Sequence, residues 1–299
     1  DMIIVRSDGF PTYMLSTVVD DYDLRITHVI RGTEHFTNTA RQMQILNALG
    51  WPTPIYAHAP LILDPDGSKM SKRKGAVNVE DYRSMGYLPE ALKSYFLYLG
   101  WNKAKEKIIS SEDAIPIFEL NHSVKSAIRF DINKLNSINF NYIQIEKDEY
   151  LAKETLRILE IKHELPFNES NMEKILLGMP YFKKRANTIL DIVEKSNFIW
   201  CSRPIKFDEN SLSLIQQSEE KDILRVSLNM LDGIENWTSE IIGDSLRELS
   251  NDKKLKLVKV MQPLRAALTG KLVSIGVPEI IFILGKDETI NRIKDVILF

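Results

Sequence analysis

The sequence predicts a multidomain chain that opens on part of an α/β domain, continues through a small helix-rich module and ends in all-α bundles. Three observations carry this. Residues 25–63 run strand, helix, strand, the order of a parallel βαβ unit. Residues 88–101 then set Leu88, Leu92, Tyr95, Phe96 and Leu99 on one helical face. From about residue 147 onward, amphipathic helical spacing recurs and strand signals are few.

The elements follow in order. "MIIVRS" (2–7) is apolar and β-branched and runs into the turn signal Asp8-Gly9, so a strand is expected there. "YMLSTVVDD" (13–21) is apolar and ends on acids. "RITHVIRG" (25–32) carries Ile26, Val29 and Ile30 and closes on Gly32, the pattern of a buried strand. "TNTARQMQILNALGW" (37–51) has helical spacing at Ala40, Met43 and Leu46; Thr37 or Asn38 offers a cap, and Gly50 followed by Pro52 a stop. "IYAHAPLIL" (55–63) reads as the next strand. Pro89 suits the first turn of the helix over 88–101 and Gly100 its C-terminal end. Residues 123–143 read as a loop feeding a helix from near Asp131. Helices are then expected over 148–165, 172–200, 220–235 and 253–270, the last kinked at Pro263, and as two short helices around Gly285 over 277–298.

Composition narrows the function. The 299 residues carry a formal net charge of -2, so no global basic field draws the chain to nucleic acid and any such contact rests on local patches. The single Cys201 excludes an internal disulfide framework and a multi-Cys zinc site within the chain, and fits a reducing cytosol. No run of eighteen apolar residues is present to span a membrane.

One loop departs from this neutrality. "DPDGSKMSKRKGA" (64–76) gathers Lys69, Lys72, Arg73 and Lys74 between Gly67 and Gly75, with Ser68 and Ser71 adding hydroxyl donors. It is not a Walker A loop, because the G-x-x-x-x-G-K-[ST] spacing is absent. A solvated lysine-rich turn is the competing reading. However, the loop follows an expected parallel strand, whose carboxyl end is where α/β sheets bind ligands. Two charges about 4 Å apart interact by about 4 kcal/mol at an effective dielectric near 20. Each ~1.4 kcal/mol of this realised only in the transition state is worth about tenfold in rate. A loop that clasps a leaving pyrophosphate therefore needs no acid or base.

"SKMSKRKGA" resembles the Lys-Met-Ser-Lys-Ser signature of class I aminoacyl-tRNA synthetases, and most closely the form in glutamyl-tRNA synthetases. The blocks "SDGFPTYMLSTVVDDYDLRITHVIRGTEH" (7–35), "HAPLIL" (58–63), "VEDYRSMGYLPEAL" (79–92) and "MQPLRAALTG" (261–270) extend the likeness along the chain. The resemblance implies a partial Rossmann-type α/β half-domain with the signature loop over 1–76, an α-rich stem-contact domain over 77–147, and all-α anticodon-binding helical bundles over 148–207 and 208–299.

It also implies site residues. Tyr13, Thr17 and Arg31 match positions that contact bound glutamate, with Thr17 standing where relatives carry Asn. A dicarboxylic amino acid needs a guanidinium fork and a hydroxyl donor. Lys69 and Lys72 match the catalytic lysines; with Ser71, Arg73, Glu34, His35 and Ile62 they would bind ATP. For Glu34 and His35 a plain helix lead-in is the competing reading. Asp20 and Asp21 are not read as an acid pair, since adjacent residues on a helix diverge by about 100°. In "YFKKRANT" (181–188), Arg185 is the candidate for an anticodon contact, against a solvated basic face as the alternative. "QPLRAALTG" reads as core packing or as a second contact with the same loop. The implied cofactors are ATP and Mg2+ held mainly through ATP, with no zinc within this chain. The implied partners are glutamate and tRNA(Glu), with tRNA(Gln) as a second candidate, and the implied state is a cytoplasmic monomer.

Enzymes of this class carry a second signature of the His-Ile-Gly-His type. His28, His35, His58, His122 and His163 form no His-x-Gly-His pattern. The expectation is a C-terminal portion lacking the first half of the catalytic domain, inactive alone. A non-catalytic tRNA-binding fragment is the alternative function, and a glutaminyl-tRNA synthetase or other class I relative the alternative family.

Overall fold

The structure is a computed structural model; it describes residues 2–68, 78–105, 108–163 and 169–298. It divides into two compact units: Asp1–Tyr82 with Pro89–Ile138, and Arg83–Leu88 with Asn139–Phe299.

The first unit contains the expected βαβ unit. Helix α1 (Tyr13–Asp23) precedes strand β1 (His28–Gly32), helix α2 (Phe36–Leu49) and strand β2 (Ile55–Ala59). β1 and β2 are parallel, paired from His28↔Ile55 to Gly32↔Ala59. α2 stops at Gly50, whose φ of 67° is left-handed and accepts no Cβ readily. Its start differs from expectation: it continues from a 3-10 turn at Thr33–His35, with His35 and not Thr37 or Asn38 at the N-cap. Val18, Ile45 and Leu46 form its core, covered by Met14, Leu15 and Trp51.

Three strand expectations are corrected. Residues 2–7 form no strand; only a Val5↔Pro11 bridge closes around the Asp8-Gly9 turn, because no neighbouring strand among the described residues offers a ladder. β1 is not buried: Ile30 is 59% exposed, and Ile55 on β2 also 59%, since α1 and α2 cover only part of a two-stranded sheet. The strand over 55–63 is split at Pro60, which has no N–H to donate. Its second piece, β3 (Ile62–Leu63), instead pairs parallel with β4 (Ile128–Arg129).

Helix α3 (Val79–Ser84) and helix α4 (Pro89–Gly100) follow. Pro89 opens α4 as expected, but Gly100 stays inside it, and Phe96 is 40% exposed while Leu92, Tyr95 and Leu99 are buried. Trp101 packs on Ala104, Ile109 and Ala114, the last on the short α5 (Ser111–Ala114). Helix α6 (Ile132–Ile145) begins where Asp131 Oδ1 accepts from the N–H groups of Asn133 and Lys134, at 2.9 and 3.1 Å.

From α7 (Asp148–His163) onward every element among the described residues is helical. The expected segment 172–200 is not continuous. α8 (Glu169–Phe182) gives way to a 3-10 turn at Lys183–Arg185, and α9 (Ile189–Ser196) restarts behind a capping box of Thr188 and Asp191. α10 (Glu209–Ile215) and α11 (Ser218–Asp232) come next, then α12 (Ser239–Asp252), which the sequence reading missed although Thr238 caps it. α13 (Leu257–Thr269) runs through the buried Pro263 and packs against α10, α11, α12, α14 (Val277–Leu284) and α15 (Lys286–Leu298). Among the described residues no helix is long and apolar enough to cross a membrane.

Candidate substrate and nucleic-acid sites

The first candidate site gathers at β1. Its strand directs the Arg31 side chain toward α2, where Thr39 and Gln42 stand three residues apart on one helical face. Arg31 Nη2 donates to Thr39 Oγ1 and to Gln42 Oε1, both at 2.7 Å. Arg31 Nη1 reaches the Tyr13 hydroxyl at 3.4 Å, near the limit of a hydrogen bond, and the guanidinium carbon lies 5.3 Å from the Tyr56 ring centre. Thr39 Oγ1 also lies 3.0 Å from Nε2 of His58 on β2, the residue opposite Arg31 in the parallel register.

The charge of Arg31 organises the titrations around it. Burial, followed by repulsion from Arg31 and His35, lowers the His58 pKa, which favours the neutral imidazole. Burial raises the Tyr56 and Asp21 pKa values, and Arg31 opposes both shifts. Two buried donors find no partner among the described residues: Arg31 Nε and Nε2 of Gln42, a residue only 1% exposed. Together these groups make a pre-oriented cation able to take a carboxylate.

Of the residues expected here, Tyr13, Arg31 and His35 come together; the His35 and Tyr13 rings lie 6.3 Å apart. Thr17 follows Tyr13 by one turn on the same face of α1. Glu34 folds its carboxylate back over Gly32, into the space a Cβ there would take. Ile62 belongs to the second sheet, paired with Ile128. Lys69, Ser71, Lys72 and Arg73 lie outside the described residues. Thr39, Gln42, Tyr56 and His58 were missed; the spacing of Thr39 and Gln42 was visible, but their pairing with Arg31 is a long-range contact. A cavity of about 360 Å³ nearby is lined by Arg25, Thr27, Ile55 and Tyr56. Thr27 and Ile55 mark the amino ends of the strands, away from the carboxyl ends that bind ligands in parallel sheets. Among the described residues no group of three or more His, Cys, Asp or Glu is arranged to hold a metal ion.

The second candidate site lies in the helical unit. The 3-10 turn splits the basic cluster among three tasks. Lys183 Nζ pairs with Asp148 Oδ1 at 2.7 Å, and Lys184 lies 5.5 Å over the Tyr181 ring. Arg185 instead lines a cavity of about 380 Å³ with Asp191, Glu194, Lys195, Phe198 and Lys271. Lys195 Nζ donates to the Arg185 carbonyl. Burial lowers the Lys195 pKa, with Asp191 and Glu194 opposing and Arg185 adding to the shift. The "QPLRAALTG" block packs into the core, where Leu264, Ala266, Ala267 and Leu268 are fully buried, and its Thr269 lines the cavity. Lys195 and Lys271 carried no signal beyond their charge.

The chain is matched over residues 1–137 by the family of class I tRNA synthetases (E and Q), catalytic domain, and over 150–297 by the anticodon binding domain family. It is 42% identical over 302 residues to glutamate–tRNA ligase 1 of Bartonella bacilliformis, covering 99% of this chain and 63% of that protein. It is 43% identical to glutamate–tRNA ligase 2 of Parvibaculum lavamentivorans, covering 99% of this chain and 60% of that one. A solved glutamate tRNA ligase from Elizabethkingia meningosepticum, in complex with its amino acid, superposes with a TM-score of 0.84 at 32% identity, over 100% of this chain and 62% of its own. The chain thus spans somewhat under two thirds of the relatives it matches.

Proposed function

Because the chain belongs to the class I tRNA synthetases of the glutamate and glutamine type, we propose that it is the C-terminal portion of a glutamate–tRNA ligase. The observation that carries this reading is Arg31: its Nη2 is held by Thr39 and Gln42, while among the described residues Nη1 makes only the long contact with Tyr13. A guanidinium so oriented, beside a phenol, suits the side-chain carboxylate of glutamate. Thr17 would add a hydroxyl.

In the reaction, the glutamate α-carboxylate attacks the α-phosphorus of ATP, forming glutamyl-adenylate and releasing pyrophosphate. A hydroxyl of the terminal ribose of tRNA(Glu) then takes the glutamyl group and releases AMP. Lys69 and Lys72, with Ser71 and Arg73, would neutralise the phosphates, while Glu34, His35 and Ile62 border the nucleotide. Mg2+ would come chiefly with ATP. The domains over 1–76, 77–147, 148–207 and 208–299 would be the half catalytic domain, the stem-contact domain and two anticodon-binding bundles. Arg185 would meet the anticodon. The protein would work as a cytoplasmic monomer, with tRNA(Gln) a further substrate for a non-discriminating enzyme.

A second reading has its own observation. Without a His-x-Gly-His pattern, these residues as they stand bind tRNA without turnover. The two are separated by incubating the purified chain with ATP, glutamate, tRNA(Glu) and labelled pyrophosphate. The expected outcome is no ATP–pyrophosphate exchange alongside salt-dependent tRNA binding. Robust exchange would refute the half-site reading, and failure to bind tRNA would refute both.

A further inference from the structure

We propose that Arg292 is a positioning residue for the cavity at Arg185: it sets the two backbone segments that form the cavity walls, and through them the discrimination among bases presented there. The inference rests on the reading of Arg185 as an anticodon contact.

Arg292 lies on α15 and is only 2% exposed. A buried guanidinium is unfavourable unless its donors are met. Here Nη1 donates to two carbonyls far apart in sequence, Phe198 at 2.9 Å and Leu268 at 2.7 Å. Nη2 donates to the Cys201 carbonyl at 3.2 Å. Nε donates to Glu288 Oε1 at 2.6 Å, one turn earlier on α15, which offsets the charge. Arg203 stands 3.7 Å from both Glu288 Oε2 and Asp295 Oδ2, and so braces the carboxylate from outside.

The accepting carbonyls sit beside the cavity. Phe198 lies in the 3-10 turn Asn197–Ile199 that follows α9, and both Asn197 and Phe198 line the cavity. Leu268 lies at the C-terminal end of α13, just before the lining residues Thr269 and Lys271. A single guanidinium nitrogen therefore ties the wall that follows α9 to the wall that follows α13. These are carbonyls at helix ends, where no helical partner remains to hold them. A planar fork can serve three carbonyls and one carboxylate at once, and an ammonium cannot. Arg292 is not among the residues that line the cavity; it acts through the backbone of lining Phe198 and of Leu268, which directly precedes lining Thr269.

The test uses the 299-residue chain with tRNA(Glu) transcript and a transcript bearing a substituted anticodon. Dissociation constants are measured for the wild type, Arg292→Lys and Arg185→Ala, each checked for folding by melting and circular dichroism. Arg292→Lys is expected to lose about tenfold of the preference for the native anticodon, while its affinity for the substituted transcript stays within about threefold of wild type. A merely structural loss would lower both affinities together and leave the ratio intact. If Arg185→Ala loses the preference but Arg292→Lys keeps it, the positioning role is wrong. If Arg292→Lys does not fold, Glu288→Leu replaces it, freeing Nε; a loss of preference of at least about threefold supports the role, and an unchanged ratio overturns it. A wild-type chain without preference, or an Arg185→Ala chain that keeps it, removes the anticodon reading and this inference with it.

Discussion

At the scale of single residues, Gly86 shows how tightly local conformation is set. It adopts φ +82°, and a Cβ there would lie 2.8 Å from the backbone nitrogen of Leu190 and 3.0 Å from that of Ile189. The same contact carries a hydrogen bond, Ile189 N to Gly86 O at 2.9 Å, so the backbone cannot retreat without breaking it. Buried Asn139 pins the neighbouring stretch, accepting from Leu88 N at 2.8 Å and donating to the Asn187 carbonyl. Gly86→Ala adds left-handed strain to that overlap and is expected to destabilise the helical unit by about 2–4 kcal/mol. Urea unfolding followed by circular dichroism measures this, and a midpoint equal to wild type would disprove the contact. Nothing in the sequence marked Gly86, because its restriction comes from a partner about a hundred residues away. Arg31 and Tyr13 were legible only through the resemblance; Thr39 and Gln42, which aim Arg31, were hidden for the same reason as the Gly86 contact.

At the scale of elements, start and stop signals read well where they are local. Pro89 opens α4, Gly50 ends α2 and Gly285 separates α14 from α15, each by backbone chemistry confined to one or two residues. The break between α8 and α9 did not read, because amphipathic spacing continues across it and only the Thr188–Asp191 box marks the restart. That break is what turns Arg185 out to the cavity. The strand at 55–63 failed for a different reason: Pro60 was visible, but β4, its partner's replacement, is only two residues long. Packing between α4 and the start of α6 yields a prediction at this scale. Tyr95 is fully buried, its hydroxyl accepts from Asp131 N at 2.7 Å, and Phe130 meets its ring edge-on at 5.3 Å. Burial pushes its pKa from 10 up to about 12. The folded state thus holds the phenol proton more tightly than the unfolded chain does. The resulting stability is complete below pH 10 and is lost as pH rises toward about 12. Tyr95→Phe is expected to cost about 1–2 kcal/mol at neutral pH, from the acceptor lost to Asp131. It should also shed part of the alkaline destabilisation. Urea titrations of both proteins at neutral and alkaline pH test this, and parallel loss of stability in the two would contradict the assignment.

At the scale of the whole molecule, a net charge of -2 constrains the tRNA binding proposed above. Attraction must come from a few placed cations, so few counterions are released on binding. Raising salt from 50 to 200 mM should therefore weaken binding of tRNA(Glu) by only about 10–100-fold, less than for a strongly basic protein with more phosphate contacts. Arg185 and Lys184 then part company. Lys184 is an exposed cation over the Tyr181 ring, without a place in the cavity, and suits a phosphate. Arg185 is also exposed but lines the cavity beside Phe198, where a splayed base can stack while its edge is read. Arg185→Ala is expected to weaken binding of tRNA(Glu) by about 1–3 kcal/mol and relax anticodon preference, with little change in the salt slope. Lys184→Ala should weaken all transcripts alike and lower the slope by up to about one. Neither truncation should shift the melting point by more than the small amount usual for surface changes, about 0.5 kcal/mol in stability. Salt titrations with native and anticodon-substituted transcripts separate the two residues. If Arg185→Ala moved the slope and spared the preference, its role would be that of a phosphate anchor, and the cavity would lose its claim to read the base.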